Sequence, residues 1–187
     1  MKIKISKVKE NERKFRELVL YISQKCASDP MFGATKLNKV LFYSDFLAYA
    51  NLGQPITGFE YQKLPNGPVP RRLLPVRDKM VEQNELGIQE VLLKNGYIQK
   101  RTVNLRPPDL RTFSAQEISL VDQVIEALGD ASAGAVSELS YRQIGWIVAD
   151  DGETIPYSTV CLSNEPLTET ETRRAQELAA THGLVTA

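Results

Sequence analysis

Thr35-Lys36-Leu37-Asn38-Lys39-Val40-Leu41-Phe42-Tyr43-Ser44-Asp45-Phe46-Leu47-Ala48-Tyr49-Ala50-Asn51 is the stretch that decides how this chain is read. Leu37, Val40, Leu41, Phe42, Phe46, Leu47 and Tyr49 cover most of a helix circumference, so the spacing predicts a central, buried helix. Thr35 is its expected cap and Gly53 its expected stop. Asp45 is the exception on that helix. An ionised carboxylate buried alone costs several kcal/mol. Asp45 is therefore expected to be a buried polar group held by an Arg, Lys or Tyr, ahead of any catalytic role.

Upstream, Asn11 to about Cys26 reads as an amphipathic helix, with Phe15, Leu18, Val19, Ile22 and Cys26 on one face. Lys2-Ile3-Lys4-Ile5-Ser6 alternates as a short edge strand would. Downstream, Gln54–Pro70 is punctuated by prolines and glycines yet contains Ile56, Phe59, Tyr61, Leu64 and Val69. It should be a shaped, packed loop. Pro75 belongs in the first turn of a helix running to about Asn84. Ile88–Lys94 and Tyr97–Leu105 flank Asn95-Gly96, the chemistry of a two-residue hairpin turn. Ser114-x-x-Glu117 is a capping box opening a helix to about Leu128. A shorter helix is expected over Ala135–Ser140, then an acidic turn at Asp150-Asp151-Gly152-Glu153. Thr168-x-x-Glu171 is a second capping box, before a helix with Ala175, Leu178 and Ala179 inward. The fold class is mainly α: one compact helical domain over residues 1–187 with a small antiparallel β-hairpin, residues 166–187 forming a C-terminal helical extension.

Composition narrows function by exclusion. The 187 residues carry 23 basic and 23 acidic side chains, but unevenly. Residues 1–111 hold 20 Lys and Arg against 11 Asp and Glu, while residues 112–187 hold 3 against 12. Either two halves of one domain attract each other or a basic face awaits an acidic partner. Two cysteines, Cys26 and Cys161, and one histidine, His182, cannot build a Cys/His metal quartet. His182 suits the end of a last helix, where a cation favours the dipole. Neither a phosphate-binding nor a dinucleotide-binding glycine motif occurs. Few cysteines and the lack of a long apolar run lead us to expect a cytoplasmic protein, without a membrane partner, metal or cofactor.

Lys36-Leu37-Asn38-Lys39-Val40-Leu41-Phe42-Tyr43-Ser44-Asp45-Phe46 resembles the hallmark helix of the Panacea, or SocA-like antitoxin, family. The resemblance continues through Gly53-x-Pro55-Ile56-Thr57-Gly58-x-x-Tyr61 and Gly67-Pro68-Val69-Pro70. It then takes in Pro108-Asp109-x-x-x-Phe113-Ser114-x-x-Glu117, Leu139-Ser140 with Trp146, and Ile155-Pro156-Tyr157. It implies a non-enzymatic antitoxin of a bacterial or phage toxin–antitoxin pair. Its partner would be a cognate protein toxin, encoded beside it and neutralised by direct contact or by delivery to a protease. Relatives often carry a Ser/Thr-His pair before an acidic residue in the later helical region. Here Ser140-Tyr141-Arg142 stands instead, which weakens an enzymatic reading further.

The expected partner-binding residues are Phe59, Tyr61, Leu64, Gly67, Pro68, Val69, Pro70, Arg71 and Arg72. A rigid loop presents aromatic anchors at little ordering cost, and arginines carry much interface energy. The competing reading has the loop packed on the chain's own core. A nucleic-acid regulator is the second functional reading, resting on Lys2, Lys4, Lys7, Lys9, Arg13, Lys14 and Arg16. A small enzyme using Asp45 with Tyr43 or Tyr61 is the third.

Overall fold

The computed structural model describes residues 8–94, 96–162, 166, 168–181 and 183. The expected strand at Lys2–Ser6 and the expected capping role of His182 lie outside these residues.

Helix α1 (Glu12–Lys25) begins where Asn11 accepts the Lys14 amide at 3.0 Å. Its face of Phe15, Leu18, Val19 and Ile22 is wholly buried. Helix α2 (Ala34–Leu52) is the expected central helix and packs against α1. Its N-cap is Gly33, however, and Thr35 lies inside the first turn. A Cβ at Gly33 would run into the Gln99 side chain, so close packing outweighs capping there. Gly53 ends the helix at φ +73°, as expected.

The Gly/Pro segment packs down and contributes two very short strands, β1 (Tyr61–Gln62) and β2 (Val69–Pro70). Pro75 sits in the first turn of α3 (Leu73–Glu82), which ends two residues before the expected Asn84. Strands β3 (Leu86–Leu92) and β4 (Ile98–Asn104) form the expected antiparallel hairpin. Its turn is wider than two residues, because Leu93 donates to the Tyr97 carbonyl and Gly96 to the Leu93 carbonyl. Gly96 takes φ +79°, the left-handed position of a three-residue hairpin loop, while Asn95 lies outside the described residues.

Helix α4 (Ala115–Leu128) opens on the predicted box: Ser114 accepts the Glu117 amide and Glu117 accepts the Ser114 amide. Helix α5 (Ala133–Tyr141) and the short α6 (Ile144–Val148) follow. Strand β5 (Thr154–Ile155) joins β1 on the side opposite β2, making a three-stranded antiparallel sheet in the order β2-β1-β5. A 3-10 turn spans Tyr157–Cys161, and α7 (Glu169–Thr181) opens on the second predicted box. The inward face expected for α7 is not there. None of its residues is buried, and Leu178 is 50% exposed.

The protein is thus mainly α with small antiparallel sheets, one more than sequence anticipates. Two ion pairs among the described residues join the basic and acidic portions: Lys14–Glu117 at 2.6 Å and Lys25–Asp122 at 3.1 Å. Others, including the chelate of Arg106 between Glu17 and Glu85, stay within the basic portion.

Candidate functional site

Two features of opposite character meet on α2. The first is closed. Asp45 has no exposed surface. Its Oδ1 accepts the Thr57 amide at 2.7 Å, and its Oδ2 accepts the Tyr61 hydroxyl at 2.8 Å and the Thr57 hydroxyl. Burial pushes the Asp45 carboxyl up to about 6, with the donors from Thr57 and Tyr61 pulling the other way. Tyr157 caps the arrangement by donating to the Phe59 carbonyl at 2.6 Å. The expected tyrosine partner is present, joined by Thr57, which side-chain type alone did not single out. With Thr57 and Tyr61 equally buried, the cluster acts as a staple between α2 and the segment after it.

The residues expected to face a partner separate into groups. Phe59 and Tyr61 are fully buried, which corrects the picture of an aromatic display. Phe59 stacks on Phe15 with centroids 3.9 Å apart, and Tyr61 meets Phe42 and Phe46 edge-on. Apolar rings of that size gain more from the core than from water. Gly67, Pro68 and Pro70 are buried too, while Leu64 and Val69 are half-buried. Gly67 holds φ +93° where a Cβ would collide with the Lys39 amine and the Ser140 hydroxyl. Lys39 itself is buried, donates to the Asn66 carbonyl at 2.5 Å, and is pulled down to about 8 by that burial. Lys36, one turn earlier, reaches Asp29 at 2.6 Å and the Gly129 carbonyl. Arg71 and Arg72 are exposed but engaged. Arg71 reaches Thr154, Gln62 and the Gly152 carbonyl, and Arg72 pairs with Glu10 and Glu12 at 2.7 Å each.

The second feature is open. A cleft of about 450 Å³ lies among α2, α4 and α5, walled by Phe42, Phe46, Leu47, Val124, Leu128 and Leu139. Val160 of the last 3-10 turn completes one side. Arg142 is the single charged residue lining it, and it has no ion pair among the described residues. The Tyr43 hydroxyl is buried in the wall without a hydrogen bond of normal geometry. Burial pushes it up to about 12, with the Gln143 side chain opposing. Sequence reasoning missed this surface. Its signal was the all-round apolar character of the 35–51 stretch, which exceeds what one core face can use.

The family described as antitoxin SocA-like, Panacea domain, matches residues 37–147. The chain belongs to the Panacea family. The match runs from the second turn of α2 into α6, so Asp45, Thr57, Tyr61 and all of the cleft wall except Val160 lie within the Panacea region. No curated protein and no solved structure matches this Panacea chain. Trp146, at the end of the match, is partly buried against Tyr141, with the Lys63 amine 4.3 Å above its ring. No helix of the described residues is long and apolar enough to cross a membrane.

Proposed function

We propose that this protein is a cytoplasmic, non-catalytic antitoxin that binds a protein toxin directly, using the cleft between α2, α4 and α5 as its main contact surface. The observation that carries the reading is the position of the cleft: an open apolar surface lies on the helix that typifies an antitoxin family. Apolar pockets rimmed by an arginine are where interface energy concentrates. The cognate toxin is expected from an adjacent gene, and residues 166–187 are expected to be an extension of one domain.

Arg71, Arg72 and Leu64 remain a second contact region, at the edge of the shaped segment. Their weight is smaller, because both arginines already have acidic or carbonyl partners that a toxin would have to replace. The nucleic-acid reading loses support for the same reason. Arg13 pairs with Asp109, Lys14 with Glu117 and Arg16 with Glu85. Lys2, Lys4 and Lys7 lie outside the described residues.

Co-expression with the product of the adjacent gene tests the reading. Wild-type protein should relieve toxicity and co-purify, while a folded Leu139→Glu variant should lose at least tenfold in binding. A toxin that stays lethal, or no complex with wild type, removes the antitoxin reading. Binding untouched by Leu139→Glu but abolished by Arg71→Glu with Arg72→Glu moves the interface to the shaped segment. Toxin levels that fall only when proteases are active would replace occlusion by delivery.

A further inference from the structure

A second cavity, of about 490 Å³, lies between the end of α1 and the β3–β4 hairpin and shares no lining residue with the cleft. Its volume falls in the range of small-molecule sites, roughly 300–1,000 Å³. Its chemistry differs from that of the cleft. Ser23, Gln24, Gln89, Arg101, Thr102 and Asn104 bring polar groups to it, and none of its lining residues is acidic. Val91 and Val103, which share a hairpin face with the paired Gln89 and Arg101, supply an aliphatic wall.

Two of the polar groups are unanswered. Ser23 is 3% exposed, and its Oγ makes no hydrogen bond among the described residues. It does not even reach a carbonyl of the preceding turn, the usual recourse of a helical serine. Asn104 donates its Nδ2 to the Leu20 carbonyl at 2.8 Å, which fixes its Oδ1 as an acceptor, and that oxygen is buried without a donor. Leu20 and Ser23 sit one turn apart on α1, so both bare oxygens belong to the same stretch of helix. Buried polar atoms are nearly always paired, because leaving one bare costs stability. Arg101 is the complement. Its Nη2 donates to the Ala27 and Asp29 carbonyls at 3.0 and 2.9 Å, which anchors the guanidinium past the end of α1. Its Nε and Nη1 have no acceptor among the described residues and remain donors of set direction.

We propose that this cavity binds a small amino-substituted heterocycle of the cytosine or adenine type, free or as its nucleoside, with Ser23, Asn104 and Arg101 reading its edge. Such a ring carries an amino group next to an acceptor nitrogen. The amino hydrogens answer Asn104 Oδ1 and Ser23 Oγ, the acceptor takes a hydrogen from Arg101, and the flat ring lies against Val91 and Val103. Water alone answers the two oxygens but makes no use of the aliphatic wall. The site stands apart from the cleft, so the inference does not depend on whether the cleft receives a toxin.

Amide chemical-shift titration of the full chain with cytidine and adenosine, set against uridine and inosine, tests it. Within each pair a carbonyl oxygen replaces the amino group. At least one amino nucleoside should shift the amides around Ser23 and Asn104 with a Kd below about 1 mM, and its oxo counterpart should bind at least tenfold more weakly. Ser23→Ala should weaken binding about threefold or more while leaving the melting temperature unchanged or higher, because the hydroxyl it removes makes no hydrogen bond among the described residues. Arg101→Gln should lose at least tenfold. If that variant melts early through loss of its bonds at the end of α1, Ser23→Ala decides alone. No shift with either amino nucleoside at about 10 mM overturns the proposal and leaves the two oxygens to ordered water. So does binding indifferent to the exchange of amino for oxo, and so do shifts that map to the α2/α4/α5 cleft instead. A Ser23→Ala variant that melts lower and binds as wild type also overturns it, making the hydroxyl structural only.

Discussion

Helices α4 and α7 begin with the same local grammar and end in opposite places. Each has a hydroxyl residue at its N-cap and a glutamate three residues on, each making the reciprocal bonds of a capping box. Yet α4 buries Val121, Val124 and Leu128 against α2, while α7 buries nothing. The box fixes where a helix starts, contributing about 1 kcal/mol. Whether the helix joins the core depends on the width and size of its apolar face. For α4 that face is Ile118, Val121, Val124, Ile125 and Leu128; for α7 it is one leucine among alanines.

The contrast is broken most forcefully at the centre of each stripe. Val121→Asp places a charge at a site with no solvent exposure and should cost about 4 kcal/mol or more, enough to unfold much of the protein. Leu178→Asp should move the melting temperature by no more than about 2 °C. Far-UV circular dichroism melts of the two variants measure the difference directly.

Next in size is the helix on which α4 rests. Asp45 has a folded value near 6 against an ordinary 3.8, so the folded state takes up its proton first as pH falls. The cost of its charge is fully present at pH 7 and is relieved as pH drops from about 6 toward 4. Relative to Asp45→Asn, wild type should gain about 1 kcal/mol between pH 7 and pH 5 in urea unfolding. The comparison with the variant is needed because Glu17 works against it. Burial raises Glu17, but its bonds from Arg106 and the Asp109 amide hold it below its ordinary range, and that stabilisation is lost in acid. Parallel titration curves for wild type and variant would remove Asp45 as a source of pH dependence.

Smaller effects sharpen the contrast at the caps themselves. Ser114→Ala should lower global stability by about 1 kcal/mol, because α4 is part of the cooperative core. Thr168→Ala should leave the global transition in place and loosen only α7, seen as faster exchange of its first amides. The Thr168 hydroxyl and amide hold Glu171 below its usual carboxylate range. The α7 start should therefore hold above pH 4.5 and fray as pH falls through that lowered value.

Much of the fold was legible because α1, α2 and α4 combine wide apolar stripes with recognisable ends. Three features were not legible. The strands at Tyr61–Gln62, Val69–Pro70 and Thr154–Ile155 are two residues long, too short for any periodicity, and are set by long-range pairing. The place of Thr35 was lost because Gly33 answers to the distant side chain of Gln99. Phe59 and Tyr61 were read as equally fit for a partner or the core, since aromatic residues serve both; the positions of Phe15 and Asp45 decide it. The cleft was hidden for a related reason. Its walls Phe42, Phe46, Val124 and Leu128 are themselves core residues, and the exposed Leu139 has the same sequence signature as they do.

The Asp45 staple also bears on how quickly the chain finds its shape. Its hydrogen bonds join residues only 12 and 16 positions apart, whereas Lys14 and Glu117 must meet across 103. Closing the short loops loses far less chain entropy, so α2 with the Gly53–Tyr61 bend is the natural place for folding to nucleate. Conservative truncations at Thr57 should slow refolding as much as they lower stability, while truncations along the Lys14–Glu117 contact should act mainly on the unfolding limb. A single buried carboxylate would then set the order of assembly.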